Sequence, residues 1–155
     1  MNRWLPPVEQ VLLAAWVGGM WTVGFLVAPM LFQLLDDRAL AGQLAGRLFA
    51  VMSMVGIVAA TLLLASGYVR RGRAWLNDWR CRVLLAMLAL ILIGQFGITP
   101  RMQAIKEAAH GPLAPGSEDY ARFALLHGVS SLLFLLTSIL GLMLVAFGLR
   151  RSDGS

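Results

Sequence analysis

The stretch FALLHGVSSLLFLLTSILGLMLVAFGL, Phe123 to Leu149, contains no Asp, Glu, Lys or Arg. A bilayer core about 30 Å thick is crossed by roughly 20 residues of α-helix, so one uncharged run of this length reads as a membrane span. Three further runs share the property: Gln10 to Leu35, Leu48 to Val69 and Val83 to Pro100. The expected architecture is all-α and integral to the membrane, a bundle of four transmembrane helices over approximately 10–35, 48–69, 83–100 and 123–149. Residues 1–155 then form one membrane domain. Composition agrees: 59% of residues are hydrophobic and 14% charged, against about 45–50% and about 25% in soluble domains. Mean hydropathy is +0.75.

The first run far exceeds the roughly 7–15 apolar residues of a signal-peptide core, which predicts an uncleaved first helix. A single cysteine, Cys81, excludes an internal disulfide framework and any CxxC motif. The basic residues lie between apolar runs and form no stripe with interleaved aromatics, so a nucleic-acid partner is not expected. The lipid bilayer is the partner that composition implies.

Orientation follows from the enrichment of Lys and Arg in short cytoplasmic segments. Arg3, Arg150 and Arg151 in the tails join Arg70, Arg71, Arg73, Arg80 and Arg82 between spans two and three. On the other side, Arg38, Arg47, Arg101, Lys106 and Arg122 are offset by Asp36, Asp37, Glu107, Glu118 and Asp119. A multi-pass protein of the cytoplasmic (inner) membrane with both termini in the cytoplasm is expected. Trp75 and Trp79, with Trp4, are read as an interfacial aromatic belt.

The far-side connections differ. Gly42, Gly46 and Ala50 repeat small residues every four positions, so helix two is expected to begin before the membrane and to allow close helix contact there. After Thr99-Pro100, Arg101 to Ala109 is a short helix-compatible excursion on the non-cytoplasmic side, broken at Gly111-Pro112-Leu113-Ala114-Pro115-Gly116. Ser117 before Glu118 and Asp119 reads as the N-cap of helix four. No internal repeat or low-complexity tract is evident.

Polar side chains inside the runs are few, and in hydrocarbon each needs a reason. His127 is the ionisable group of these runs once Cys and Tyr are set aside, and Gln95 is the amide lying well inside one. Positions 4, 7, 11 and 14 beyond His127 are Ser131, Phe134, Ser138 and Gly141, one helical face that is expected to point into the bundle. At about 1.5 Å per residue, His127 and Gln95 both lie roughly 7–8 Å inside the same edge. Met52, Ser53, Pro29 and Met30 fall near that level. This layer either binds a small solute or ion, or holds helix register through interhelical hydrogen bonds.

Met52-x-Met54 with His127 is a conceivable soft-metal set, although Met52 and Met54 lie on different sides of a helix. Intramembrane haem would need axial ligands, and the second histidine, His110, falls in the third connection. No cofactor is expected. Paired carboxylates, GxSxG, HExxH and a phosphate loop are all absent, so an enzyme is not expected either. Gly18, Gly19, Gly56, Gly94 and Gly97 read as packing residues, and Trp16 and Trp21 as bulky filling of helix one.

Three segments resemble the transmembrane protein 205-like family of small membrane proteins. They are Gly18-Gly19 with Phe25 and Pro29; Ala41-Gly42 to Gly46-Arg47-Leu48-Phe49; and Thr99-Pro100-Arg101-Met102 with Phe123-x-x-x-His127-Gly128-x-Ser130-Ser131-Leu132. The resemblance implies four membrane helices with a helical excursion after the third, and it places Pro100, Arg101, His127, Gly128 and Ser131 at motif positions. It implies no reaction or substrate.

The candidate binding residues are therefore His127, Gln95, Ser131, Ser53, Arg101 and Pro100, with Gly42, Gly46 and Gly128 for packing. The leading expectation is a non-enzymatic protein whose polar layer binds or passes a small solute or ion. The alternatives are an accessory or assembly subunit, as a homo-oligomer or with a membrane partner, and a soft-metal or haem protein.

Overall fold

Helix is the expected answer of a backbone in hydrocarbon, where every N–H and C=O must be satisfied within the chain. The computed structural model describes residues 5–109 and 113–148. The readings placed on Arg3, Trp4, His110, Gly111, Pro112, Leu149, Arg150 and Arg151 lie outside the described residues. Within them there is no strand, and four helical stretches are long and apolar enough to cross a membrane: Pro7–Leu34, Arg38–Asn77, Trp79–Ala108 and Glu118–Phe147. The protein is an all-α, multi-pass membrane protein.

The first span comprises α1 (Leu5–Trp21), a π-helical turn (Thr22–Val27) and α2 (Ala28–Leu34). The second is α3 (Arg38–Arg71), closed by a 3₁₀ turn (Gly72–Asn77). The third is α4 (Trp79–Leu92), a π-helical turn (Ile93–Ile98) and α5 (Thr99–Ala108); the fourth is α6 (Glu118–Gly148). The excursion after the third span is helical, as expected, but it is a continuation of that span beyond Pro100. Nothing breaks the helix there, because a proline near the start of a helical segment needs no N–H partner.

Both π turns precede a proline. A helical proline cannot donate and its ring crowds the carbonyl four residues back, which a widened turn relieves. Ahead of Pro29, the Ala28 N–H donates five residues back to Val23 O. Ahead of Pro100, the Thr99 N–H does the same to Gly94 O. Phe25-x-x-x-Pro29 and Phe96-x-x-x-Pro100 therefore mark one device used twice, a local likeness that no longer repeat accompanies.

The helix starts are local events. The Asp37 carboxylate accepts from the N–H groups of Ala39 and Leu40 at 2.8 and 3.1 Å, which begins α3 well before its apolar run. The Ser117 hydroxyl accepts from Tyr120 N–H at 3.1 Å and caps α6. Gly116 at φ 86 and Gly72 at φ 58 take the left-handed turns that precede and end these elements.

The four spans form a ring in which α3 packs on α1 and α4, and α6 closes it by packing on α4 and α1. Trp16, Met20, Ala59, Ala60, Leu63, Cys81, Leu84, Met87 and Leu144 form the core. The outside is apolar: Val11, Val51, Val58, Leu62, Leu132, Ile139 and Phe147 are all exposed. Only 22% of the most apolar window of each span is buried, the inverse of a soluble bundle.

Close approach depends on glycines, among them Gly19 and Gly56 of the expected set but not Gly18 or Gly97. A side chain at Gly56 would meet Trp16 and Ile91, at Gly19 the end of Met52, at Gly24 the ring of Phe134, and at Gly141 Val17 and Met87. Gly18, Gly46, Gly97 and Gly128 have nothing within 4 Å, and Gly42 meets Phe32 at 3.9 Å. The buried seam of α3 at this end is Ala41 and Ala45, one position before the expected Gly42 and Gly46. Trp75 is also relocated. It is 6% exposed, packs across Gly67 in the core, and is not part of an interfacial belt, whereas Trp79 is exposed with the Arg80 guanidinium over its ring.

Candidate functional site

Several hydroxyls of the spans satisfy themselves locally, whereas the buried Ser138 hydroxyl and the indole N–H groups of Trp16 and Trp75 find no partner among the described residues. Ser53 Oγ donates to Phe49 O at 2.9 Å, Ser131 Oγ to His127 O at 2.9 Å and Thr137 Oγ1 to Leu133 O at 2.8 Å. Each is a bond one turn back on its own helix, the ordinary recourse of a hydroxyl in an apolar helix. Among the described residues, no hydrogen bond joins the side chains of Gln95, His127, Ser53 and Ser131 to one another. Gln95 is half-buried within the second π turn. Met52 packs towards Gly19 of the first span while His127 stacks on Phe123 of its own helix. No group of three or more His, Cys, Asp or Glu capable of holding a metal occurs among the described residues.

The face of α6 bearing His127 does not point inward along its whole length. Ser138 and Gly141 are buried and Phe134 half-buried, but His127, Gly128 and Ser131 are exposed. The cause lies in the first span. Its α1 packs on α6, whereas beyond the π turn its α2 packs on α3, so the neighbour that covers Ser138 has left by the level of His127. Phe134 stands where the two helices part, with Phe25 6.4 Å away and Phe49 of α3 5.0 Å away.

His127 lies parallel to Phe123, ring centroids 6.2 Å apart and planes 5° apart. The Lys106 ammonium of α5 sits 5.0 Å from the same Phe123 ring, a cation–π contact that ties the α5 extension to α6. Between α5 and α6 an open groove of about 400 Å³ is lined by Arg101, Ala104, Ile105, Arg122, Leu125 and Leu126. Pro100 lies in the first turn of α5, directly before Arg101. Of the sequence candidates, the structure thus gathers His127, Gly128 and Ser131 on one exposed strip and puts Arg101 on another; Ser53 and Gln95 belong to neither.

The opposite end holds a cluster that the charge pattern did not reveal. Glu9 of α1 accepts from Arg70 Nη2 of α3 at 2.5 Å and from the Ser66 hydroxyl. Asp78 caps α4 through Arg80 N–H at 2.9 Å and pairs with Arg71 at 2.5 Å. The available signal was Ser66 and Arg70 four apart on one helical face, with Glu9 the lone acid of the first span.

No curated protein and no solved structure matches the chain. A family model described as a domain of unknown function, DUF4149, matches residues 11–111, which takes in the first three spans and the Arg101 wall and stops short of α6. On that match over more than half its length, the chain belongs to the DUF4149 family.

Proposed function

We propose that the protein is a non-enzymatic accessory or assembly subunit of the inner membrane, which receives another membrane helix on the His127 strip. The observation that carries this reading is the exposure of His127, Gly128 and Ser131 together, on the outer half of an otherwise apolar helix. An imidazole facing lipid is costly. Beside it, Gly128 offers an open path for backbone approach, the usual geometry of a membrane helix contact. Gly46 adds a second open small residue at the same end of the bundle. The arginine-rich turn from Arg70 to Arg82 and the acids opposite support cytoplasmic termini. The α6 motif, outside the family match, supports the finer kinship with transmembrane protein 205-like proteins.

The solute or ion reading has one observation in its favour: Gln95 is half-buried and donates no hydrogen bond to another described residue. Against it, Trp16, Met87 and Phe134 fill the interior between the helices. A photo-crosslinking residue placed at Ser131 in native membranes separates the two. The assembly reading expects an adduct of defined protein mass at Ser131 and none at exposed Leu85 of α4. Adducts with lipid alone at both positions overturn it.

A further inference from the structure

The α5–α6 groove is independent of the His127 strip and has a different chemistry. Its lining is almost wholly apolar and includes the side chains of Arg101 and Arg122, one from each helix, with four apolar residues between them and no acidic residue. Arg101 is the first charged residue after the third apolar run and Arg122 the last before the fourth, so both stand at the height where lipid headgroups begin. Among the described residues Arg101 has no acidic partner; Arg122 pairs with Glu118 at 2.5 Å, but both side chains are more than 60% exposed. Such a pair is weak and exchangeable. Lys106 is turned away to Phe123 and leaves the groove to the two arginines.

We infer that this groove binds an anionic phospholipid, its phosphate diester bridging Arg101 and Arg122 and an acyl chain lying on Leu125 and Leu126. Arginine forks match phosphate oxygens bidentately, and basic pockets between membrane helices take acidic headgroups. An open groove whose lining is apolar fits an amphiphile better than a free anion. A choline headgroup brings its own cation to two like charges, so the preference is for net negative lipid.

Native mass spectrometry of the full chain in mild detergent tests this with phosphatidylglycerol and phosphatidylcholine of matched acyl chains. One phosphatidylglycerol per chain is expected, preferred over phosphatidylcholine by about tenfold, the equivalent of one charge-assisted hydrogen bond. R101Q/R122Q should reduce retention to the phosphatidylcholine level, while Arg73→Gln at the opposite end leaves it unchanged. Glu118→Gln, which frees Arg122 without altering the groove, should raise retention. Equal retention of both lipids, undiminished binding by R101Q/R122Q, or displacement by inorganic phosphate at equal concentration would overturn the assignment.

Discussion

Phe134 of α6 occupies the space that a side chain at Gly24 would need: its Cε1 and Cζ lie 2.5 and 2.6 Å from where a β-carbon on residue 24 would stand. The contact is made inside the π turn of the first span, just where that span leaves α6 for α3. The ring therefore wedges the two helices apart and floors the opening in which His127 is exposed.

Gly24→Ala should consequently destabilise the bundle by about 1–3 kcal/mol, the usual cost of overpacking a rigid ring. In a Phe134→Leu background the same change should cost little, because the neighbour has gone and the two effects do not add. Gly46→Ala, with nothing within 4 Å, should instead gain about 0.5–1 kcal/mol from helix propensity. Thermal unfolding in detergent measures all three. An equal loss at Gly24 and Gly46 would refute the wedge.

At the other end, Glu9 and Arg70 join α1 to α3 while half-shielded from solvent, their side chains 20% and 31% exposed. A pair of this kind lies between an exposed pair, worth about 0–1 kcal/mol, and a buried one, whose breakage costs about 3–5. Glu9→Gln should cost roughly 1–2 kcal/mol and Arg70→Gln a similar amount, with the double variant losing less than their sum. Ser66→Ala should weaken the pair further, since its hydroxyl donates to the second Glu9 oxygen.

Cys81 is 1% exposed within the core. It should resist thiol reagents in the folded protein and react once the chain is denatured. A cysteine at Arg73 or Gly116 can therefore be read against a silent background. The two positions lie at opposite ends of the bundle, so an impermeant reagent applied to intact cells should label one and not the other. The expected outcome is labelling at Gly116 and protection at Arg73. Labelling of Arg73 alone would invert the proposed orientation.

What the sequence made legible was local. Spans appear as gaps between charges, and the cap at Ser117 is set by a residue within three positions of the bond it makes. The spacing of His127, Ser131, Phe134, Ser138 and Gly141 defines one helical face, which is covered at Ser138 and Gly141 and exposed at His127 and Ser131. Whether a face is covered depends on a neighbour, and the neighbour's path is decided by a π turn at Thr22–Val27, on another span. For the same reason the burial of Trp75, which depends on Gly67 lying opposite, and the Glu9–Arg70 pair, 61 residues apart, were not readable from spacing. Spacing cannot distinguish the buried Ala41 and Ala45 from Gly42 and Gly46, because small residues recur every four positions in both sets.

His127 gives the sharpest distinction between a partner surface and a shared polar layer. Within the chain its imidazole stacks on Phe123 and forms no hydrogen bond to Gln95. His127→Leu should therefore change the unfolding free energy by less than about 0.5 kcal/mol, as surface substitutions usually do. If the strip receives another helix, the same variant should weaken that association by about 0.6–2 kcal/mol, the range of interhelical polar contacts in membranes, and the Ser131 crosslink should fall accordingly. Gln95→Leu should leave the crosslink intact, and its effect on any cellular phenotype should add to that of His127→Gln, since the two groups share no partner. A solute site spanning both residues requires the opposite, a double variant no worse than either single one. Non-additive loss with the crosslink preserved would return the polar layer to the leading position and remove the strip as a docking face.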